Sequence, residues 1–319
     1  MKKLLAAVVL MAAAVTGAYA QTDKDKMTIA TGVDPSLGTF YVAKVGGFFD
    51  KNGLDVQLDT GPSGSAMVPL LIKNQVQAVL AAEQAGIVNF NVDPDIVVTS
   101  QMMMMLRYYG VVGRNIDDLD GLKGKTIGMT PGGAGELFWR ALVTKLNLNA
   151  ADYNIAPVES PEMIAALERG NLDAVATWEP WISRTLQSVS GTKLLRDNEG
   201  IISTRNFLYV NRSWAEANPD VAVRFMRALV EATDFIRTNP DEAAKQIAGL
   251  LNLDADFTKG LIEKVEFDMR LDQAAVDYLK TIEAQLKDVG RLTKPVDWDR
   301  YIYPDIAEKA MPEKVDLAR

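Results

Sequence analysis

Two glycine-rich loops are the segments of this sequence best suited to binding an anion. Residues 61–65 and 131–135 each join a predicted strand to a predicted helix. The first N–H groups of a helix lack partners inside it and lie at the positive end of its dipole, so they can hold a negative group. Neither loop has the spacing of a phosphate-binding P-loop or a dinucleotide fingerprint. The alternative is that they are simply tight turns. The candidate ligand contacts are Ser63, Gly64, Ser65, Gly132, Gly133 and Ala134.

Polar side chains follow two further predicted strands. After residues 172–177 come Trp178, whose indole can cover a ligand, and Glu179, which can accept hydrogen bonds from an amine or ring N–H. Glu83 and Gln84 occupy the same position after residues 78–82. The competing interpretations are that Trp178 packs between domains and that Glu83 only stabilises a helix N-terminus.

Arg107 is the cation best placed for an anionic ligand, since it starts a crossover between domains. A guanidinium can donate two parallel hydrogen bonds to a carboxylate or sulfonate. A salt bridge at the hinge is the alternative role. Phe207, in the second crossover, is a candidate wall of the same site.

The composition excludes much of enzyme chemistry. Among 319 residues there is no histidine and no cysteine, so the chain has no Ser-His-Asp or Cys-His pair and no thiolate or imidazole metal ligand. Only a carboxylate-pair or lysine-based enzyme remains open. No cofactor and no metal are predicted. A net charge of −8 without a basic run also makes nucleic acid a poor partner.

These candidates are positioned by a predicted α/β pattern, in which short apolar strands alternate with helices, as in a largely parallel sheet. Two long extended runs, 96–112 and 205–210, are interpreted as crossovers between two lobes. Lobe 1 is therefore predicted to be discontinuous and lobe 2 inserted, with a ligand cleft beyond the carboxyl ends of the strands. From residue 213 onward we predict almost only helices. The predicted boundaries are 27–112 and 206–319 for lobe 1 and 113–205 for lobe 2.

The N-terminus predicts export. Lys2 and Lys3 precede an apolar run over residues 4–15 and the small residues Ala18 and Ala20, the pattern of a secretory signal peptide. We predict a signal peptide over residues 1–20, cleavage after Ala20, and a soluble periplasmic protein that is not membrane-embedded. The apolar run is shorter than the roughly 20 residues that span a bilayer.

Several segments, in order along the chain, resemble the nitrate/sulfonate/taurine-type periplasmic substrate-binding proteins of ABC transporters. They are 46–56 (GGFFDKNGLDV), 122–128 (LKGKTIG), 170–174 (GNLDA), 178–180 (WEP), 218–220 (NPD) and 239–244 (NPDEAA). The resemblance implies a type II periplasmic binding protein fold: two Rossmann-like lobes joined by a two-strand hinge. It also implies ligand contacts at Ser36, Leu37, Thr39 and Phe40.

The same resemblance implies a non-catalytic, monomeric receptor whose partners are a small-molecule solute, an ABC permease and its ATPase. Biosynthetic enzymes share the fold, but those that make the thiamine pyrimidine rely on histidine and cysteine, and those of the menaquinone pathway are cytoplasmic. The expected solute is a small organic anion or zwitterion, such as a sulfonate, taurine or nitrate. Because Glu83, Glu136 and Glu179 lie near the predicted cleft, a nitrogen heterocycle or pyrimidine-like solute is the alternative.

Overall fold

The computed structural model describes residues 24–131 and 133–318. The predicted signal peptide and Gly132 lie outside the described residues. The strands are β1 Asp25–Gly32, β2 Leu54–Gly61, β3 Ala78–Ala82, β4 Ile96–Met105, β5 Tyr109–Arg114, β6 Thr126–Met129, β7 Asn154–Pro157, β8 Ala174–Trp178, β9 Thr192–Asp197, β10 Thr204–Asn211, β11 Val265–Asp272 and β12 Val315–Asp316.

The helices cover both faces of the sheets. They are α1 Gly38–Val45, α2 Phe48–Lys51, α3 Gly64–Met67, α4 Pro69–Ile72, α5 Glu83–Phe90, α6 Ala134–Lys145, α7 Ser160–Glu168, α8 Trp181–Ser188, α9 Arg212–Ala217, α10 Pro219–Thr238, α11 Pro240–Leu251, α12 Ala255–Ile262, α13 Gln273–Asp288, α14 Trp298–Tyr301 and α15 Asp305–Ala310. Single 3₁₀ turns lie at Pro35–Leu37, Asp120–Leu122, Ala150–Asp152 and Pro312–Lys314.

In the described part of the chain the strands form two sheets, one in each lobe. The first has the order β12-β11-β4-β10-β3-β1-β2, and the second has the order β7-β6-β8-β5-β9. The sheets are mixed rather than largely parallel: β10 runs antiparallel to β3 and β4, and β5 runs antiparallel to β8 and β9. The crossover strands re-enter their sheets in the opposite direction, which the run of apolar residues did not reveal.

The backbone passes from lobe 1 to lobe 2 at residues 106–108, between β4 and β5. It passes back to lobe 1 at residues 198–203, between β9 and β10. The predicted change at residue 112 falls inside β5, whose hydrogen-bonding neighbours β8 and β9 are both in lobe 2. The second segment of lobe 1 begins two residues before the predicted residue 206, because β10 already pairs with β4 from Thr204. One continuous apolar run thus serves two sheets.

The segment that follows the first glycine-rich loop forms two short helices rather than one. α3 and α4 are separate four-residue helices that meet at Pro69. Proline lacks the N–H that would continue the hydrogen-bond pattern. From residue 213 onward the described chain is almost wholly helical, as predicted, but Val265–Asp272 forms β11, with its alternate residues buried, and Val315–Asp316 forms β12. That alternation is the ordinary signature of a strand with one covered face.

The buried core lies against the central strands of lobe 1. All but one residue of β3 and all but one of β4 are buried. Strands covered on both faces carry such continuous apolar runs. Gly64, in the first turn of α3, lies so near β3 that a Cβ atom there would be 2.4 Å from the carbonyl oxygen of Leu80. This close approach fixes the loop after β2 beside the ends of β1 and β3.

Candidate functional site

Asp34 and Tyr108 meet where lobe 1 joins the first crossover. Asp34 follows β1, and its Oδ1 accepts hydrogen bonds from the Tyr108 hydroxyl at 2.6 Å and the Ser36 N–H at 2.8 Å. Burial raises the pKa of Asp34 to about 6, against the lowering effect of these hydrogen bonds, and the nearby charge of Glu179 adds to the rise. This carboxyl can therefore take up a proton close to neutral pH.

Glu83 provides a second buried carboxyl at the same edge of the sheet. It begins α5 directly after β3 and is only 1% exposed, and its Oε1 accepts a hydrogen bond of 2.8 Å from the Tyr278 hydroxyl. Burial raises its pKa to about 7, although Arg205 is close enough to lower it. The Arg205 guanidinium lies 4.3 Å from the centre of the Tyr278 ring and donates to Gln101.

Glu179 links the two lobes. It follows β8 in lobe 2 and is fully buried, and its Oε1 lies 2.5 Å from the ammonium of Lys264 in lobe 1. Its carboxylate also accepts the N–H and hydroxyl of Ser183, while its own N–H donates to the carbonyl of Tyr108. The side chain selected as a ligand contact is thus engaged in a contact between the lobes.

The two crossovers are joined by Asn198. Its Oδ1 accepts the N–H groups of Tyr108 and Tyr109, and its Nδ2 donates to the carbonyls of Met105 and Ile202. Arg107 forms a 3.0 Å ion pair with Glu199 across the same crossovers, and both side chains are well exposed. Arg107 thus makes the hinge salt bridge that was its alternative role, and its contact with an anionic ligand stays a prediction.

A cavity of about 900 Å³ lies between the lobes. On one side it is lined by α6 and on the other by α13, and Ile201 and Ile202 of the second crossover complete the lining. Gln84 and Gly133 are the predicted site residues that line it. Gln84 comes from α5 of lobe 1, and Gly133 is the N-cap residue of α6 in lobe 2. Residues from both lobes therefore meet around one enclosed volume.

Four predicted contacts lie in or beside the lobe 1 core. Ser36 and Leu37 are buried in the turn that Asp34 caps, next to the carboxyl cluster. Thr39 and Phe40 belong to α1 and point instead to α10: the Thr39 hydroxyl is 3.4 Å from that of Thr233, and Phe40 packs edge-on against Phe225. Both residues are fully buried where α1 packs on α10, and their ligand roles stay a prediction.

The remaining predicted contacts lie in the core, at the end of a strand or at the start of a helix. Phe207 is fully buried in the lobe 1 core with Leu279 and Tyr301, and its role as a cleft wall stays a prediction. Trp178 ends β8 and is partly buried against the core. Ser63 caps α3 through its hydroxyl, and Gly64 and Ser65 follow in that helix. Ala134 begins α6.

Several polar residues of this region were not selected from the sequence. They include Asp34, Tyr108, Asn198, Arg205, Lys264 and Tyr278. Asp34 was identifiable as the polar residue that follows a strand, in the same position as Glu83. Lys264 and Tyr278 are 85 and 195 residues from their partners, so no local pattern marks them. Across the described residues no cluster of metal-ligating side chains occurs, and no helix there is long and apolar enough to cross a membrane.

Two lobes joined by two crossovers, with a cavity between them, define a periplasmic binding protein fold. The structure of the periplasmic aliphatic sulphonate binding protein SsuA from Escherichia coli matches with a TM-score of 0.77 and 17% identity, over 88% of this chain and 97% of that one. The family described as NMT1/THI5 like matches residues 34–243. The chain belongs to this family.

Two further similarities bear on function. A putative aliphatic sulfonates-binding protein of Bacillus subtilis (strain 168) is 26% identical, over 92% of this chain and 90% of that protein. The desulfurization enzyme DSZB shares the fold, with a TM-score of 0.68 and 16% identity over 91% of this chain and 99% of that one. The fold thus carries both receptors and enzymes, and the site must distinguish between them.

Proposed function

We propose that this protein is the periplasmic solute-binding component of an ABC importer, which binds a small organic anion or zwitterion between its lobes and catalyses no reaction. The observation that carries the proposal is the cavity lined by both lobes beside a hinge of two crossovers. A ligand that contacts both lobes stabilises their closed arrangement. The closed receptor then delivers the solute to a membrane permease driven by its ATPase.

The groups around the cleft suit a solute with both charges. The N-terminus of α6, with its N-cap at Gly133 and its first residue at Ala134, presents the positive end of a helix dipole, which favours an anion, although the Gly133 N–H itself donates to the carbonyl of Thr130. Glu83 and Asp34 supply acceptors for an ammonium or ring N–H. The two carboxyls also favour a second candidate solute, an uncharged nitrogen heterocycle, whose N–H groups would donate to them.

Export and a receptor role support one another. The predicted signal peptide, cleaved after Ala20, would place the chain in the periplasm, where a solute receptor acts. The absence of histidine and cysteine from the sequence removes the usual nucleophiles and bases of hydrolytic and thiol enzymes. A monomer that exchanges between open and closed forms is the expected species.

Calorimetric and thermal-shift titration tests this function. Sulfonates, taurine, nitrate and pyrimidines are titrated into the mature protein, and a ligand at a hundred times its Kd is expected to add about 2.7 kcal/mol to the unfolding free energy. The bound compound should be recovered unchanged after long incubation, as judged by mass spectrometry. Stabilisation by uncharged bases alone would replace the anion with the second candidate, and conversion of the ligand would contradict the receptor role.

A further inference from the structure

The cavity between the lobes has apolar residues on both of its walls. Lobe 2 contributes Leu137, Val143 and Ile155, and lobe 1 contributes Ile282, Leu286 and Val289. Ile155 and Val289, one from each lobe, are 48% and 39% exposed, whereas Ile282 and Leu286 also belong to the lobe 1 core. Aliphatic side chains on both walls of one cavity gain free energy when an apolar group displaces water from between them.

The volume is that of a small-molecule site rather than of a simple ion. Ligand sites in proteins enclose roughly 300–1,000 Å³ and combine mainly apolar walls with a few polar groups that orient the ligand. The present cavity, of about 900 Å³, is at the upper part of this range. Nitrate has no apolar atoms and taurine only two methylene groups, so neither would cover these walls.

Gln84 supplies the orienting polar group. Its side chain lines the cavity, the residue is only 8% exposed, and its Oε1 receives no hydrogen bond from any described residue. A buried carbonyl oxygen without a donor costs about 1–3 kcal/mol. A ligand with an N–H group at this position would remove that cost.

We propose that the solute is amphiphilic, with an N–H group that donates to Oε1 of Gln84 and an aliphatic or aromatic body that lies between α6 and α13. The inference rests on the proposed receptor function and names the class of solute. The head group is recognised from lobe 1, and the body is enclosed only when both lobes approach it. Solute size is therefore coupled to lobe closure.

Three homologous series of ligands test the inference by calorimetry on the mature protein: n-alkanesulfonates, n-alkylamines and N-alkyltaurines, each from methyl to hexyl. Burial of one methylene is worth about 0.8 kcal/mol, so affinity should rise roughly fourfold per added carbon. At equal chain length the N-alkyltaurines should bind about tenfold more tightly than the alkanesulfonates, because only they carry an N–H for Gln84.

Matched variants assign the two effects to their residues. Val289→Asp and Ile155→Asp place a charge on the apolar walls and should abolish the dependence of affinity on chain length. Val92→Asp is the control, since Val92 is 70% exposed and away from the cavity. Gln84→Leu should remove the preference for N–H ligands and keep the dependence on chain length. Gln57→Leu, at an exposed position on β2, is its control.

The outcomes separate this inference from the receptor function. If sulfonates or taurines bind with an affinity independent of chain length, the amphiphilic site is wrong and the receptor function stands. If alkylamines alone bind, with a chain-length dependence that Val289→Asp removes, the amphiphilic site stands and the anionic head is wrong. Failure of all three series to bind overturns the amphiphilic site, and the titration with nitrate and pyrimidines then decides the receptor function separately.

Discussion

Asp34 and Glu83 follow neighbouring strands of the first sheet, and burial shifts both carboxyls towards their protonated forms. Their pKa values in the folded protein, about 6 and about 7, exceed the ordinary values of 3.8 and 4.5 expected in the unfolded chain. Between about pH 4 and pH 7 the folded protein therefore binds more protons than the unfolded one. Its stability falls as pH rises through this window.

Glu83→Gln tests this effect. The amide keeps an acceptor for the Tyr278 hydroxyl but cannot ionise, so the variant should lose part of the decline in unfolding free energy between pH 5 and pH 8. At pH 8 the unfolding free energy of Glu83→Gln should exceed that of the wild type by at most about 3 kcal/mol. Urea unfolding at a series of pH values measures it, and Glu168→Gln, at an exposed position, is the control. Parallel profiles of wild type and Glu83→Gln would contradict the expectation.

At the residue scale the sequence indicated polar residues near the meeting of the lobes more readily than it indicated their partners. Glu83, Gln84 and Glu179 were selected because they follow strands, and all three are polar residues buried near the meeting of the lobes. The ion pair of Glu179 with Lys264 was not predictable, because the partner comes from the other lobe. For Arg107 the sequence left a ligand contact and a hinge salt bridge open, because its partner Glu199 lies on the other crossover, where no local pattern marks it.

At the element scale the hinge depends on one buried side chain. Asn198 is 1% exposed and makes four hydrogen bonds to the backbone of both crossovers. An amide suits this position because it offers an acceptor to two N–H groups and donors to two carbonyls at once. The hydrogen bonds of Asn198 thus join the two crossovers, although residues 106–108 and 198–203 do not pair as strands.

Asn198→Asp should weaken the hinge more than its small change in shape suggests. Aspartate keeps the acceptor for Tyr108 and Tyr109 but places a second oxygen against the carbonyls of Met105 and Ile202. We expect a loss of about 2–4 kcal/mol in unfolding free energy, measured by urea denaturation. Asn147→Asp, at an exposed turn, is the control. A cost at Asn198 no larger than at Asn147 would mean that these hydrogen bonds do not maintain the hinge.

The elements themselves were predictable where local pattern and burial agree. The apolar run Ala78–Ala82 was predicted with its observed bounds. By contrast, β11 was missed among helices, and its pairing with β4 joins residues more than 150 positions apart. The division of residues 96–112 between two sheets depends on the turn at 106–108 and on the lobe 2 partners of β5, which are distant in sequence.

At the scale of the whole molecule, two polar contacts join the lobes and their first crossover. The ion pair of Glu179 with Lys264 joins lobe 2 to lobe 1, and the hydroxyl of Tyr108 joins the first crossover to Asp34. Glu179 is fully buried, whereas Lys264 is about one-third exposed. The pair therefore favours close approach of the lobes while one partner remains open to water.

Lys264→Met is expected to shift the ligand-free protein towards an open form. Methionine keeps the length of the side chain but removes the cation, so Glu179 retains its bonds to Ser183 and loses its only ionic partner among the described residues. A loss of about 1 kcal/mol would raise the ratio of open to closed molecules roughly fivefold. Small-angle scattering should then give a larger radius of gyration for the variant than for the wild type.

The same change should weaken solute binding by the same factor, because a ligand that needs the closed form must first restore it. Lys264→Arg should keep both the compact radius and the affinity, since it preserves the charge. Lys280→Met, on the exposed surface of α13, controls for the loss of a lysine. If Lys264→Met enlarged the molecule without weakening binding, closure and recognition would be independent. An unchanged radius would mean that the ion pair does not determine the separation of the lobes.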